Sequence, residues 1–84
     1  MILQEVFQMR EKIEKILSEI IPGIDLKCET LIDSGYIDSL ALINLISELD
    51  IEFDIEIVFA ELEVCNFNSV DAIQALVEKK VQLS

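Results

Sequence analysis

The pair Asp38-Ser39 is the first feature of this sequence whose residue types could support chemistry. A serine hydroxyl becomes a strong nucleophile when a neighbouring base, most often a histidine, takes its proton. The chain contains no histidine, and no lysine stands near Ser39 in the sequence. We therefore expect Ser39 to accept a group that a separate enzyme attaches, and we expect this chain to be a substrate rather than an enzyme.

The acidic residues between Asp50 and Glu61 form a second candidate site, for calcium. Acids stand at positions 1, 3, 5 and 12 of this segment, as in a 12-residue calcium loop, but position 6 is Ile55. That position of a calcium loop needs glycine, because a β-branched residue is strained at positive φ. We therefore expect no calcium site.

The two cysteines, Cys28 and Cys65, lie far apart in the sequence. Without histidine they cannot complete a zinc site of the usual ligands. We expect two reduced thiols, with a disulfide as the alternative.

The composition restricts the classes of partner. Seventeen acidic and six basic residues give a formal net charge of -11, and 52% of the 84 residues are hydrophobic. This hydrophobic content is enough for one core, so residues 1–84 are predicted to form a single domain. The negative surface argues against binding of nucleic acid and anionic lipid, and favours brief encounters with basic patches on other proteins.

The start of the chain lacks the basic region of a signal peptide, and no apolar run reaches the roughly 20 residues of a membrane span. We therefore expect a cytoplasmic protein without membrane insertion.

Three amphipathic stripes predict the elements that must position Ser39. Apolar residues recur every three or four positions over residues 2–20, 39–53 and 69–81, which predicts helices I, II and IV. Pro22 and Gly23 end the first helix, and Asp38 is the candidate N-cap of the second. Either Asn68 or Ser69 caps the last. The residues expected to face the core are Ile2, Val6, Met9, Ile13, Ile16, Leu17 and Ile20, then Leu42, Leu45, Ile46, Leu49 and Phe53, then Val70, Ile73, Leu76 and Val77.

The segments between these helices have weaker patterns. Residues 24–38 show no sustained period and are expected to form a long ordered loop that four apolar residues hold against the core: Ile24, Leu26, Leu31 and Ile37. In residues 54–67 a short helix near 58–63 could be lined by Val58, Phe59 and Leu62. Residues 50–57 alternate as a strand would, but we interpret them as a helix end and a loop. The predicted fold is all-α, a small four-helix bundle with a long loop between helices I and II.

A possible docking face lies beside Ser39. On a helical wheel the side of helix II opposite the core stripe carries Leu40, Ile43, Asn44 and Ser47. A purely structural helix has little reason to keep Leu40 and Ile43 there, so they indicate contact with another protein. An Asp-Ser pair also caps ordinary helices. The alternative is therefore a non-enzymatic acidic helical interaction module without a prosthetic group.

The segment 31–40, Leu-Ile-Asp-Ser-Gly-Tyr-Ile-Asp-Ser-Leu, resembles the phosphopantetheine attachment site of acyl and peptidyl carrier proteins, whose core is Asp-Ser-Leu after a glycine. The resemblance extends over most of the chain, since both helix order and the long loop match that family. Two residues, Tyr36 and Ile37, separate the glycine from Asp38, and Phe-Asp-Ile follows helix II. Both features look more like D-alanyl carrier proteins and freestanding peptide or polyketide carriers. Ala41 and Asn44 stand where fatty-acid carriers are often acidic.

The resemblance implies that a phosphopantetheinyl transferase attaches 4'-phosphopantetheine from coenzyme A to Ser39, with Asp38 and Leu40 completing the motif. The thiol of this arm would hold acyl or aminoacyl groups as thioesters. An acyl- or aminoacyl-activating ligase would load them, and acyl-transferring or synthase enzymes would receive them from what we expect to be a monomer. The free N–H groups and partial positive charge of a helix start suit the arm's phosphodiester. The cargo stays open among fatty acyl, polyketide, amino acid and D-alanine.

Overall fold

The elements of the chain are all helical. The computed structural model describes the backbone of residues 3–83 and the side chains of residues 5–82. Its elements are α1 (Leu3–Ile20), α2 (Ser39–Phe53), a 3-10 turn (Phe59–Glu61), α3 (Val64–Phe67) and α4 (Val70–Leu83). Residues 3–83 contain no strand, which confirms the all-α class. Within the same range no helix combines the length and the apolar character that a membrane crossing requires.

Helix α1 buries four of the seven residues predicted for its core stripe, while Val6 and Ile20 are half-buried. Met9, Ile13, Ile16 and Leu17 are buried at spacings of three and four, as one face of a helix requires. The predicted first member, Ile2, lies outside the described residues. The N–H of Ile21 donates to the carbonyl of Leu17 in the last turn, at 2.8 Å. Gly23 then reverses the chain with φ of 84°, a conformation that residues with a Cβ rarely adopt.

Helix α2 has the predicted bounds and packs against α1 and α4. Leu45 and Leu49 are fully buried, while the other three members of its stripe are only half-buried: Leu42, Ile46 and Phe53. The helix ends at Asp54, which adopts the left-handed conformation with φ of 53°. The N–H of Asp54 caps the carbonyl of Asp50. The segment 50–57 is therefore a helix end followed by a loop, as we interpreted it.

The prediction of one short helix near 58–63 is wrong in its details. A single 3-10 turn forms there, and α3 follows as a separate element that the sequence did not predict. The three residues proposed to line the short helix are exposed, by 44, 88 and 39%: Val58, Phe59 and Leu62. Ile57 and Phe67 occupy the core instead. Polar contacts hold this turn in place. The Glu61 carboxylate accepts from the Val58 N–H and from Lys80, so the turn is stabilised although its apolar side chains stay exposed.

Helix α4 begins one residue later than predicted and extends two residues further. The Ser69 hydroxyl accepts from the N–H of Ala72 at 3.0 Å, so Ser69 is the side chain that caps this helix. Asn68, the other candidate, has a different role described below. The four predicted core residues of the helix are all buried: Val70, Ile73, Leu76 and Val77.

Candidate functional site

Ser39 is the first residue of α2, and its side chain is exposed. Asp38 is the N-cap, with an extended backbone and a carboxylate oxygen that accepts from the N–H of Ala41 at 2.8 Å. Its carbonyl accepts from the N–H of Leu42 at 2.9 Å. The predicted cap is therefore confirmed. The N–H groups of Ser39 and Leu40 donate to no group in the described part of the chain, so they remain available to an anion at the Ser39 hydroxyl.

The charges along this part of the chain are all negative. Residues 28–78 contain twelve acidic residues and no basic one. No lysine or histidine of this stretch is therefore present to take the proton of Ser39, and no cationic side chain of it can neutralise a phosphate attached there. The backbone N–H groups of the first turn of α2 are the local groups that can do the latter.

Two buried residues of the preceding loop hold the start of α2 in place. Leu31 and Ile37 are 0 and 3% exposed. The N–H of Ile37 donates to the carbonyl of Leu31 at 2.9 Å, which closes the turn between them. Gly35 lies within that turn at φ of 92°, where a side chain would be strained. Ile37 is two residues before Ser39, so its burial fixes the point at which the chain leaves the core and exposes the serine.

Asn68 ties this loop to the start of α4. Its side-chain oxygen accepts from the N–H of Ile32 at 2.8 Å and from the N–H of Asp33 at 3.4 Å. Its side-chain nitrogen donates to the Asp33 carboxylate at 3.0 Å, and its carbonyl accepts from the N–H of Leu31 at 2.8 Å. Sequence reasoning missed this role, since an asparagine just before a helix suggests a cap, and the partner residues lie about 36 positions earlier.

The predicted docking residues are all exposed. Leu40 and Ile43 are 69 and 63% exposed, and Asn44 and Ser47 are also exposed. The wheel therefore gave the correct orientation of α2. Contact of these residues with a partner stays a prediction.

A cleft of about 350 Å³ opens beside Ser39, between the end of α1 and the start of α2. Its walls are mostly apolar and include Ile20, Ile21, Pro22, Tyr36, Leu40 and Ala41. Both Asp38 and Leu40, the neighbours of Ser39 in the sequence, line it. A group attached to Ser39 could therefore rest against apolar surface without entering the core.

The two cysteines are free thiols in the structure. The Cys28 sulfur lies 3.5 Å from the Thr30 hydroxyl, accepts from the Thr30 N–H at 3.4 Å and lies 3.8 Å from the Ser34 hydroxyl. These hydrogen bonds, led by that of the Thr30 side chain, lower the pKa of Cys28. Cys65 is exposed and donates to the Glu63 carboxylate at 3.6 Å.

The acids of the segment between Asp50 and Glu61 serve the fold in the structure. A carboxylate oxygen of Asp50 accepts from the N–H of Ile57 at 3.1 Å, and Glu61 pairs with Lys80 at 2.9 Å. Among the described residues no group of three or more potential ligands is arranged to hold a metal ion. Both ends of the calcium candidate are therefore engaged by partners within the chain.

Comparison of the chain with protein-family models, with curated proteins and with solved structures found no match.

Proposed function

We propose that this protein is a carrier that holds acyl or aminoacyl groups as thioesters on a 4'-phosphopantetheine arm attached to Ser39. In this proposal the chain is a cytoplasmic, single-domain, monomeric four-helix bundle of the acyl carrier protein type, with its long loop leading to the serine. A phosphopantetheinyl transferase adds the arm. A ligase loads it, and acyl-transferring or synthase enzymes unload it.

The observation that carries the proposal is the position of Ser39. It is an exposed serine at the first position of a 15-residue helix, after a cap whose carboxylate bonds to Ala41 rather than to the serine. The N–H groups of Ser39 and Leu40 are left to face a phosphodiester. With no histidine in the chain, the serine is suited to receive a group and not to attack a substrate by itself.

The surroundings of Ser39 support the same proposal. Leu40 and Ile43 present apolar surface next to the attachment point, as a protein handled by several enzymes needs. The cleft between α1 and α2 offers an apolar surface on which part of the arm can rest. An ordinary capped helix requires neither feature.

The decisive experiment is to incubate the protein with coenzyme A, magnesium and a broad-specificity phosphopantetheinyl transferase and to measure its intact mass. We expect a gain of one phosphopantetheine, and no gain for Ser39→Ala. Ser34→Ala, which removes an exposed serine from the preceding loop, should be modified as the unaltered protein is. No gain on the unaltered chain would refute the carrier proposal, and a gain on Ser39→Ala would refute the site.

The alternative, an acidic helical interaction module without a prosthetic group, is favoured by exposed apolar residues far along the chain from Ser39, such as Phe59. It predicts no gain of mass in the same experiment. The two functions are therefore separated by one measurement.

A further inference from the structure

Four apolar side chains around the 3-10 turn form an exposed cluster. They are Val58, Phe59, Leu62 and Val64, exposed by 44, 88, 39 and 46%, and we call them the Phe59 patch. Phe59 is the most exposed large hydrophobic residue in the described part of the chain. Leu62 follows it by three positions, a spacing that brings side chains to the same side of a 3-10 turn. Single exposed apolar residues are ordinary, but four of them within seven residues of the chain indicate an interaction surface.

The patch is held rigidly on α4. One carboxylate oxygen of Glu61 accepts from the Val58 N–H and from the Lys80 ammonium, both at 2.9 Å. The carbonyl of Glu61 accepts from the Asn66 side chain at 2.9 Å. The backbone that carries Phe59 is therefore held in place before any partner arrives. An aromatic anchor on a fixed backbone loses less conformational entropy on binding than one on a mobile segment, and such anchors dominate the energetics of interfaces.

The charges around the patch decide what can cover it. Asp54, Glu56 and Glu63 are exposed and form no ion pair with the described residues. Lys80 is paired with Glu61 at 2.9 Å, and Lys79 lies close enough to act on the same carboxylate. Four acids (Asp54, Glu56, Glu61 and Glu63) therefore stand against two lysines, and the balance near the turn stays negative. A second copy of this chain, with its net charge of -11, would bring acid against acid, and an anionic lipid surface would do the same. A complementary surface must be positively charged at its edge.

We propose that the Phe59 patch docks a partner protein whose apolar pocket accepts Phe59 and is bordered by lysine or arginine side chains. This inference goes beyond the carrier proposal and holds whether or not Ser39 carries an arm. The binding energy comes from the apolar centre, while the acidic rim steers the encounter and makes it dependent on salt.

The test begins with the photo-crosslinking residue p-benzoylphenylalanine, placed at position 59 or at position 7 of the full chain in the cells that produce it. Phe7 is the matched control, an exposed phenylalanine on α1. The protein captured at position 59 is identified, purified and titrated with the unaltered chain, Phe59→Ala and Phe7→Ala. Circular dichroism checks that both variants keep their helix content, as exposed sites should.

We expect capture from position 59 and not from position 7. Phe59→Ala should raise the Kd at least about tenfold, and Phe7→Ala should raise it less than about twofold. The Kd should also rise between about 50 and 300 mM salt. The proposal is overturned by capture that is absent or equal at the two positions, by equal losses for the two variants, or by a Kd that ignores salt. Crosslinked dimers of this chain, or binding to vesicles of anionic phospholipid that Phe59→Ala abolishes, would also overturn it.

Discussion

Replacing Asn68 with alanine tests how the loop that leads to Ser39 is held. The substitution leaves the Asn68 backbone bond to Leu31 in place and removes three side-chain bonds, of which the 2.8 Å bond from the Ile32 N–H is short and partly buried. Losing the partner of such an N–H group costs about 1 to 2 kcal/mol, and the exposed bonds to Asp33 add about 0.5 kcal/mol. We expect the free energy of unfolding to fall by about 2 kcal/mol, which lowers Tm by about 8 to 16 °C in a chain of this size.

Urea unfolding followed by circular dichroism measures the stability of Asn68→Ala, and amide hydrogen exchange at Ile32 shows whether the loop opens locally. Asn44→Ala is the control, because Asn44 is exposed on α2 and its loss should change stability by less than about 0.5 kcal/mol. Asn68→Asp keeps an acceptor for the Ile32 N–H but places a second carboxylate beside Asp33. Its stability should therefore lie below that of the unaltered protein, because the new carboxylate is brought against the Asp33 carboxylate. A loss for Asn68→Ala no larger than that for Asn44→Ala, with unchanged exchange at Ile32, would refute the reasoning.

Three further predictions follow from the packing and the charges. Ile43→Asp should weaken binding of the enzymes that act on Ser39 by about 1 to 2 kcal/mol, which is measured as slower modification of Ser39. It should change the free energy of unfolding by less than about 0.5 kcal/mol. The control Leu45→Asp, at a site that is 1% exposed, should unfold the chain instead. If Ile43→Asp also unfolds it, the assigned face of α2 is wrong. The hydrogen bond from the Val58 N–H, and after it the contact with Lys80, lowers the pKa of Glu61 below its ordinary value of 4.5. The stability that ionised Glu61 contributes is therefore complete above pH 4.5, and it is lost as the pH falls through the lower pKa of the folded state. The urea midpoint should therefore drop more between about pH 5 and 3 in the unaltered protein than in Glu61→Gln, and parallel curves would contradict this. Calcium should leave the thermal midpoint where magnesium leaves it, apart from weak screening, and a saturable rise abolished by Glu61→Gln would restore the calcium loop.

The long helices and the placement of Ser39 could be predicted because both depend on neighbours within one or two turns. The spacing of an apolar stripe such as Met9, Ile13 and Leu17 is enough to identify the buried face of its helix. The Asp38 side chain caps its helix by accepting from a residue only three positions later. The exposure of Ile43 follows from the same geometry, since an angle of 100° per residue fixes its place once the core stripe is known. The bounds of α1, α2 and α4 were accordingly correct within about two residues over the described part of the chain.

The region between α2 and α4 could not be predicted in the same way because its conformation depends on distant partners. Phe59 and Phe67 have the same side chain, yet one is 88% exposed and the other fully buried. No period distinguishes them, since each lies in an element of four residues or fewer. The turn that carries Phe59 is held by the pair between Glu61 and Lys80, nineteen positions apart, and a local sequence pattern does not show such a distant contact.

The structure also shows why α4 matters to both candidate surfaces although it is the helix farthest from Ser39 in the sequence. Asn68, just before α4, holds the loop that leads to Ser39, and Lys80, on α4, holds the turn that presents Phe59. Both anchors are polar side chains that bind backbone groups or a carboxylate. The spacing of apolar residues in the sequence therefore predicts neither contact. A substitution at either anchor should therefore loosen one surface and leave the other in place, because Asn68 and Lys80 share no partner among the described residues.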